Sequence, residues 1–513
     1  MSDWTAGYVS EIEYTHGYYS ELNPLRAAFA LTLAGYAAPA FETACELGYG
    51  QGVSLNLHAA ASGLRWWGTD FNPAQADNAQ RLAQAGATGR AIADEQGFEQ
   101  YCTRSDLPMF DFIGLHGIWS WISDSNRKAI LTLIRNRLKV GGVVYLSYNT
   151  QPGWAAFAPM RALLKLHADT LSAPGTGVVR KVDEALAFAE RLLAVDPLYA
   201  KANPTVQART DKLKTMSRHY LAHEYFNSDW LPMRFDECAA LLETAKLSFA
   251  CSAATLDHVE ALNLKPAQQK LLAEISDPSF RQTTRDYCVN QQFRRDYWVK
   301  GPRRLNAMEH LTALRALRVV MVLPLERFKY TVTGALGEAT LQEPAYRPVV
   351  ELLADHKPRT LGELEQAFAG GKGPGLQQLA QVAAVLVGKG VLQVAQTDAA
   401  MSAARKTTDA INRHLLQRAR SSDTTSYLAS PLTAGGVLVA RVMQLFILAR
   451  QQGAKQPQDY AAFVWQVLSA MNQRMLKDGK ALETPEQNLA KLVTDATDFL
   501  SKEWPVLHAL GVA

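Results

Sequence analysis

The stretch Cys45-Glu46-Leu47-Gly48-Tyr49-Gly50-Gln51-Gly52 constrains this chain more than any other. An apolar run that reads as a strand enters it, and a helical pattern from Val53 to Ala61 leaves it, so three glycines at alternate positions occupy a strand-to-helix turn. Glycine lets the backbone turn tightly and approach a ligand closely. Open α/β sheets bind nucleotide-like ligands at this carboxyl edge, which implies a nucleoside-bearing ligand. The spacing is G-x-G-x-G and not G-x-G-x-x-G, and Glu46 stands two residues before the first glycine. A carboxylate there repels a diphosphate and attracts an amino group or a sulfonium. S-adenosylmethionine is favoured over a nicotinamide dinucleotide.

From Ala44 to Asn149 short apolar runs alternate with amphipathic helical stretches, the pattern of a parallel sheet wrapped by helices. ACEL, LRWWGTD, FDFIGLH and GGVVYLSY read as strands, and Pro73 to Ala85 and Asn126 to Leu138 as helices, the latter after the capping residues Ser123 and Asp124. Lys139-Val140-Gly141-Gly142 reads as a chain reversal before the last strand. The fold expected is a Rossmann-like doubly wound α/β sheet. Asp70, 22 residues after Gly48, falls at the end of the second strand, where a carboxylate accepts ribose hydroxyls. Asp94 falls at the end of the third, near the expected adenine, with Phe98 as an apolar neighbour.

At about 150 residues per domain, 513 residues make three or four domains. We expect a cap segment (1–30), the Rossmann-like domain (31–154), a helical region (155–300), a winged-helix-like α+β module (301–395) and a C-terminal helical region (396–513). The run KLSFACSAA, from Lys246, either adds strands to the first sheet or belongs to a second domain. Lysine plus arginine (53) against aspartate plus glutamate (49) leaves +4 and no basic stripe, so a nucleic-acid partner is not supported. Five scattered cysteines without a C-x-x-C pair favour reduced thiols over a zinc ribbon or a disulfide framework. His219 and His223 have helix-face spacing but lack the H-E-x-x-H order, so no metal is expected. Phe293 to Gly301 interleaves basic and aromatic residues and reads as a solvated face, or as a contact for an acidic group. The first residues lack a basic-then-apolar signal, and Gly436 to Ala449 is too short for the ~20 apolar residues of a span, so a cytoplasmic protein without a membrane span is expected.

The motifs YTHGYYSELNPLR, ACELGYGQG, GTDFNPAQ, DFIGLHGIWSWIS, YLSYNTQPGW and HYLAHEYF carry a resemblance. The chain resembles class I S-adenosylmethionine-dependent methyltransferases, and more narrowly bacterial members with a methyltransferase regulatory domain, the group that includes rickettsial lysine methyltransferases of outer-membrane proteins. The resemblance is specific over about the first 300 residues. It implies that Glu46, Gly48, Gly50 and Gly52 line the methionine part of the cofactor, with Tyr49 in the same turn. Asp70 would hold the ribose with Phe71 beside it, Asp94 would mark the adenine, and His116 the edge of strand four near the methyl group. Aromatic faces hold cations, which suits Tyr14, Tyr18, Tyr19, Trp119, Trp121, Tyr148 and Trp154 as a lining. Tyr18, Trp119, Tyr148, Asn149 and His116 are the substrate-side candidates. Trp66 and Trp67, inside a strand, read as core. The activity expected is methyl transfer to a protein lysine amine. The alternatives are a small-molecule or glycan methyltransferase and a non-catalytic S-adenosylmethionine-binding regulator. A protein substrate is the expected partner and a homodimer the expected assembly, with the part beyond residue 300 left to regulate, dimerise or recognise.

Overall fold

The computed structural model describes Ile12 and residues 15–86, 89–173, 175–370 and 373–513; Tyr14 lies outside the described residues. Seven strands form one sheet: β1 (Thr43–Leu47), β2 (Arg65–Asp70), β3 (Ala91–Glu95), β4 (Phe110–Leu115), β5 (Leu138–Asn149), β6 (Leu247–Ser252) and β7 (Phe293–Lys300), in the order β3-β2-β1-β4-β5-β7-β6. The first five run parallel. Helices α1 (Pro24–Leu33), α2 (Val53–Ala61), α3 (Pro73–Gly86), α4 (Phe98–Cys102) and α5 (Asp124–Arg137) accompany them. All six residues of β4 are buried, which is why this strand reads as continuously apolar instead of alternating. Strand order reverses between β1 and β4, and a crevice opens there at the carboxyl ends.

Two expectations change. Lys139 to Gly142 is not a chain reversal: it lies inside β5, where Gly141 takes φ +80° and the pairing with β4 jumps from Phe110↔Leu138 to Phe112↔Val143. The glycines accommodate an irregularity in the strand. The Lys246 run does join the first sheet, as β6, and Phe293 to Lys300 is not a solvated face but β7, paired antiparallel to both β5 and β6. Arg294 is buried there between Asp286, at 2.6 Å, and Asp296, at 2.7 Å, so its charge is met twice inside the protein.

Between β5 and β6 the helices Ala158–Thr170, Val178–Ala194, Thr205–Lys214 and Arg218–Tyr225 pack around Phe157, Leu164, Leu186 and Leu221. The sheet is therefore completed by segments from both sides of this helical excursion. After β7, a three-stranded sheet of Arg318–Met321, Arg359–Thr360 and Leu392–Val394 is packed by helices including Glu343–Leu353 and Leu376–Gly388. The last region contributes the long helix Asp398–Arg418 and the hairpin of Tyr427–Ser430 with Gly435–Leu438. Both pack on α2, all nine residues of which are buried. Among the described residues no helix is long and apolar enough to cross a membrane, and no disulfide links the five cysteines.

Candidate functional site

The carboxyl ends of β1, β2 and β4, the segment after β3 and the turn at Trp121 enclose a cavity of about 400 Å³. Its floor is the glycine turn, where Gly48, Gly50 and Gly52 take φ of +72°, +57° and +69°. The backbone demands glycine at Gly48, and a Cβ there would also displace the Ile118 side chain, whose Cδ1 it would meet at 2.3 Å. Gly52 faces away from the cavity. A Cβ there would meet the Ala79 Cβ at 2.3 Å, so its bareness lets α2 pack on α3.

Asp70 ties β2 to this turn: its Oδ2 accepts the Gly50 amide at 2.9 Å and its Oδ1 the Asn72 amide at 3.0 Å. Burial outweighs those amides and pushes the carboxyl up to about 6. Glu46 is 3% exposed, and its Oε2 has no hydrogen-bond partner. Burial first, then the charge of Asp70, holds this carboxyl well above the usual carboxylate range. Glu99 and Asp229 line the cavity too, and among the described lining residues there is no lysine or arginine. Buried carboxylates without a cation suit a ligand that brings positive charge and hydroxyls, and they repel a diphosphate.

His116 forms a wall. Its Nδ1 lies 2.8 Å from the Tyr145 hydroxyl, and the Tyr19 ring stacks on it with centroids 3.5 Å apart. Burial pushes the imidazole down to about 4; Glu21 opposes this and Arg295 reinforces it. The ring is neutral at pH 7.

Glu46, Gly48, Tyr49, Gly50, Asp70, Phe71 and His116 thus meet around one cavity. The other candidates do not reach it. The Asp94 carboxylate turns away to Arg104, 2.7 Å distant, while its carbonyl accepts the Tyr49 hydroxyl at 2.8 Å; Gln96, Gly97 and Phe98 occupy the place expected of it. Tyr18 is buried on the opposite side of its segment, its hydroxyl 3.1 Å from the His58 Nε2. Trp119 and Tyr148 belong to the core that includes Phe235 and Cys238. The Asn149 Oδ1 accepts the Trp154 Nε1–H at 3.0 Å. Pairing with β7 continues to Asn149↔Phe293, so the end of β5 is covered and not open.

Of the aromatics expected to line the site, Tyr19 and Trp121 do so, joined by Tyr49, Phe71 and Phe98, whereas Tyr18, Trp119, Tyr148 and Trp154 do not. Extended backbone explains the first: alternate residues Thr15, Gly17 and Tyr19 face the cavity. Sequence reasoning missed Asn126 and Asp229, and for Asp229 no local signal exists, because it reaches the site from beyond the helical excursion.

The model of a family described as a predicted methyltransferase regulatory domain matches residues 217–300, the stretch that holds Asp229, β6 and β7. An uncharacterised protein of Synechocystis sp. is 42% identical over 514 residues, covering 99% of this chain and 100% of that one. The chain belongs to the methyltransferase family that carries this regulatory domain. An uncharacterised protein of Rickettsia prowazekii is 24% identical to this methyltransferase over 294 residues, 55% of this chain and 51% of that one. The structure of PKMT2 from Rickettsia typhi in complex with AdoHcy matches with a TM-score of 0.68 at 16% identity, covering 97% of this chain and 99% of that chain. The fold of that protein is therefore shared over nearly the whole molecule, including the regions after β7.

Proposed function

We propose that this methyltransferase uses S-adenosylmethionine to methylate a lysine amine of another protein. The carrying observation is the charge of the cavity: two buried carboxyls, Glu46 with an unpartnered Oε2, and no lysine or arginine among the described lining residues. In this reading Glu46 takes the cofactor's amino group, the bare turn at Gly48 and Gly50 admits its methionine part, and Asp70 accepts the ribose hydroxyls. Phe71, Phe98 and the backbone at Gln96 and Gly97 enclose the adenine. When bound, the cofactor supplies a methyl group on a cationic sulfur, which a neutral amine displaces in line.

The residues of this chain align and exclude water; no covalent role is required of them. His116 is too weak a base, at about 4, to deprotonate an alkylammonium, so the acceptor loses its proton to water before the site closes around it, while the ring fixes the wall against Tyr19. The large regions beyond the sheet suit a macromolecular acceptor.

Calorimetry with S-adenosylhomocysteine, followed by transfer of labelled methyl from S-adenosylmethionine into a cell extract, tests the reading. Expected are a measurable heat of uptake and label in protein bands that is recovered as methyl-lysine after hydrolysis. Label confined to small molecules or glycans overturns the acceptor. No uptake overturns the cofactor.

A further inference from the structure

Asp229 lines the cavity at the end away from β3, and its role follows from the strand order. Asp70 and the residues after β3 lie on one side of the crevice, while His116 and Trp121 lie on the β4 side, where an acceptor must approach. Asp229 reaches that side because the chain following it is pinned: the Leu231 amide donates to the Ser120 carbonyl at 2.8 Å, and the Met233 amide to the Asn149 carbonyl at 3.0 Å. Trp230, next to Asp229, is clamped by the Arg161 guanidinium 4.3 Å above its ring and by the edge of Trp154, with centroids 4.9 Å apart. The carboxylate is therefore held by packed neighbours and not by a loose loop.

The aromatic faces nearby are already taken. Arg161 covers Trp230, and His116 covers Tyr19, so neither ring is open on that face to a cation from outside. Among the described residues no cation pairs with Asp229. Glu46 and Asp70 lie deeper, under the region assigned to the cofactor. Asp229 remains as the anionic group at the acceptor end.

We propose that Asp229 is the specificity residue for the acceptor, holding its ammonium at the mouth of the cavity beside Trp121, so that the segment matched as a regulatory domain supplies one wall of the active site. This rests on the methyltransferase reading above. The residue attracts a primary amine in its charged form and steadies the positive charge that returns to the nitrogen once it is methylated. A hydroxyl acceptor gains only a hydrogen bond from it, without the charge pairing.

The test requires no knowledge of the natural acceptor. Two nitrogen-for-sulfur analogues of S-adenosylmethionine are compared by calorimetry, each with a four-carbon arm at the former methyl position, one ending in an ammonium and the other in a methyl group. The native protein is expected to bind the ammonium arm about tenfold or more tighter, the size of a charge-assisted contact. Asp229→Asn is expected to bind the two alike while keeping its affinity for S-adenosylhomocysteine, and Asp229→Glu to retain most of the preference. Equal binding of both arms by the native protein, or a preference that survives in Asp229→Asn, overturns the proposal. Failure of the native protein to bind S-adenosylhomocysteine overturns the methyltransferase reading instead, and this one with it.

Discussion

Glu46 and Asp70 are both buried at the cavity, whose described lining residues include no lysine or arginine, and each holds its proton more tightly than a free carboxylate does. Glu46→Gln removes the charge and keeps the shape. It should weaken S-adenosylmethionine binding by about 1.5–3 kcal/mol in calorimetry, while the melting temperature of the ligand-free protein stays level or rises, because an unpaired buried acid is lost. An unchanged affinity would take Glu46 out of the site. Asp70 makes a pH prediction with opposite signs for folding and binding. Its carboxyl is raised to about 6, so the stability it contributes is full below the unfolded value near 4 and is lost as pH rises through about 6. Binding prefers the ionised form, so affinity for S-adenosylhomocysteine should climb between pH 5 and 7, by up to about tenfold per unit. A flat profile over that range would rule out Asp70 as a ligand. Both residues were legible in the sequence because Asp70 closes its strand and Glu46 stands one residue before the end of its own, and strand ends share one edge. Asp94 stands one residue before a strand end as well, yet Arg104, ten residues on, captures it, a pairing that spacing does not reveal. Tyr18 and Tyr19 are adjacent, and only the direction of an extended segment decides which of them meets the cavity.

At the scale of elements, β7 is the piece on which the sheet depends and which its own sequence disguises. FRRDYWVK looks like a surface because its charges are visible and their partners are not: Arg294 is neutralised by Asp296 on the same strand and by Asp286 on the helix Pro278–Val289. Burial lifts Asp286 to about 6 despite that guanidinium. Arg294→Met would leave two buried acids without their hydrogen-bonded counter-charge, with only the charge of Arg285 still acting on them, and should cost about 3–5 kcal/mol of unfolding free energy in urea titrations at pH 7. A loss below 1 kcal/mol would mean that water reaches the cluster. The parallel strands β1 to β5 were legible because each is followed within a few residues by its helix. Strands β6 and β7 return from beyond a long run of helices and pair antiparallel, so no local period announces their neighbours.

Across the whole molecule, one short segment joins the cavity to the C-terminal region. Thr15, Gly17 and Tyr19 face the cavity, whereas His16 lies 3.2 Å from an Arg418 nitrogen and Tyr18 packs against His58 and Tyr427. The Asn23 side chain donates to the Thr433 carbonyl at 3.0 Å, fixing the other end of the segment. The alternation that turns Tyr19 towards His116 is thus held in register by a hairpin hundreds of residues away, which is why the C-terminal helices could be read as elements but not placed by sequence. Gly435 gives this coupling a handle, because a Cβ there would meet the Tyr18 hydroxyl at 2.3 Å and the Asn23 Nδ2 at 3.0 Å while itself lying outside the cavity. Gly435→Ala should therefore displace Tyr18, tilt Tyr19 off His116 and weaken S-adenosylhomocysteine binding by about 0.5–2 kcal/mol. Calorimetry reads the affinity, and a melting curve of the same variant separates this effect from general loosening. If the variant melts earlier but binds unchanged, the hairpin supports the fold alone; if binding falls without a matching loss of stability, the segment transmits the position of the C-terminal region to the cofactor.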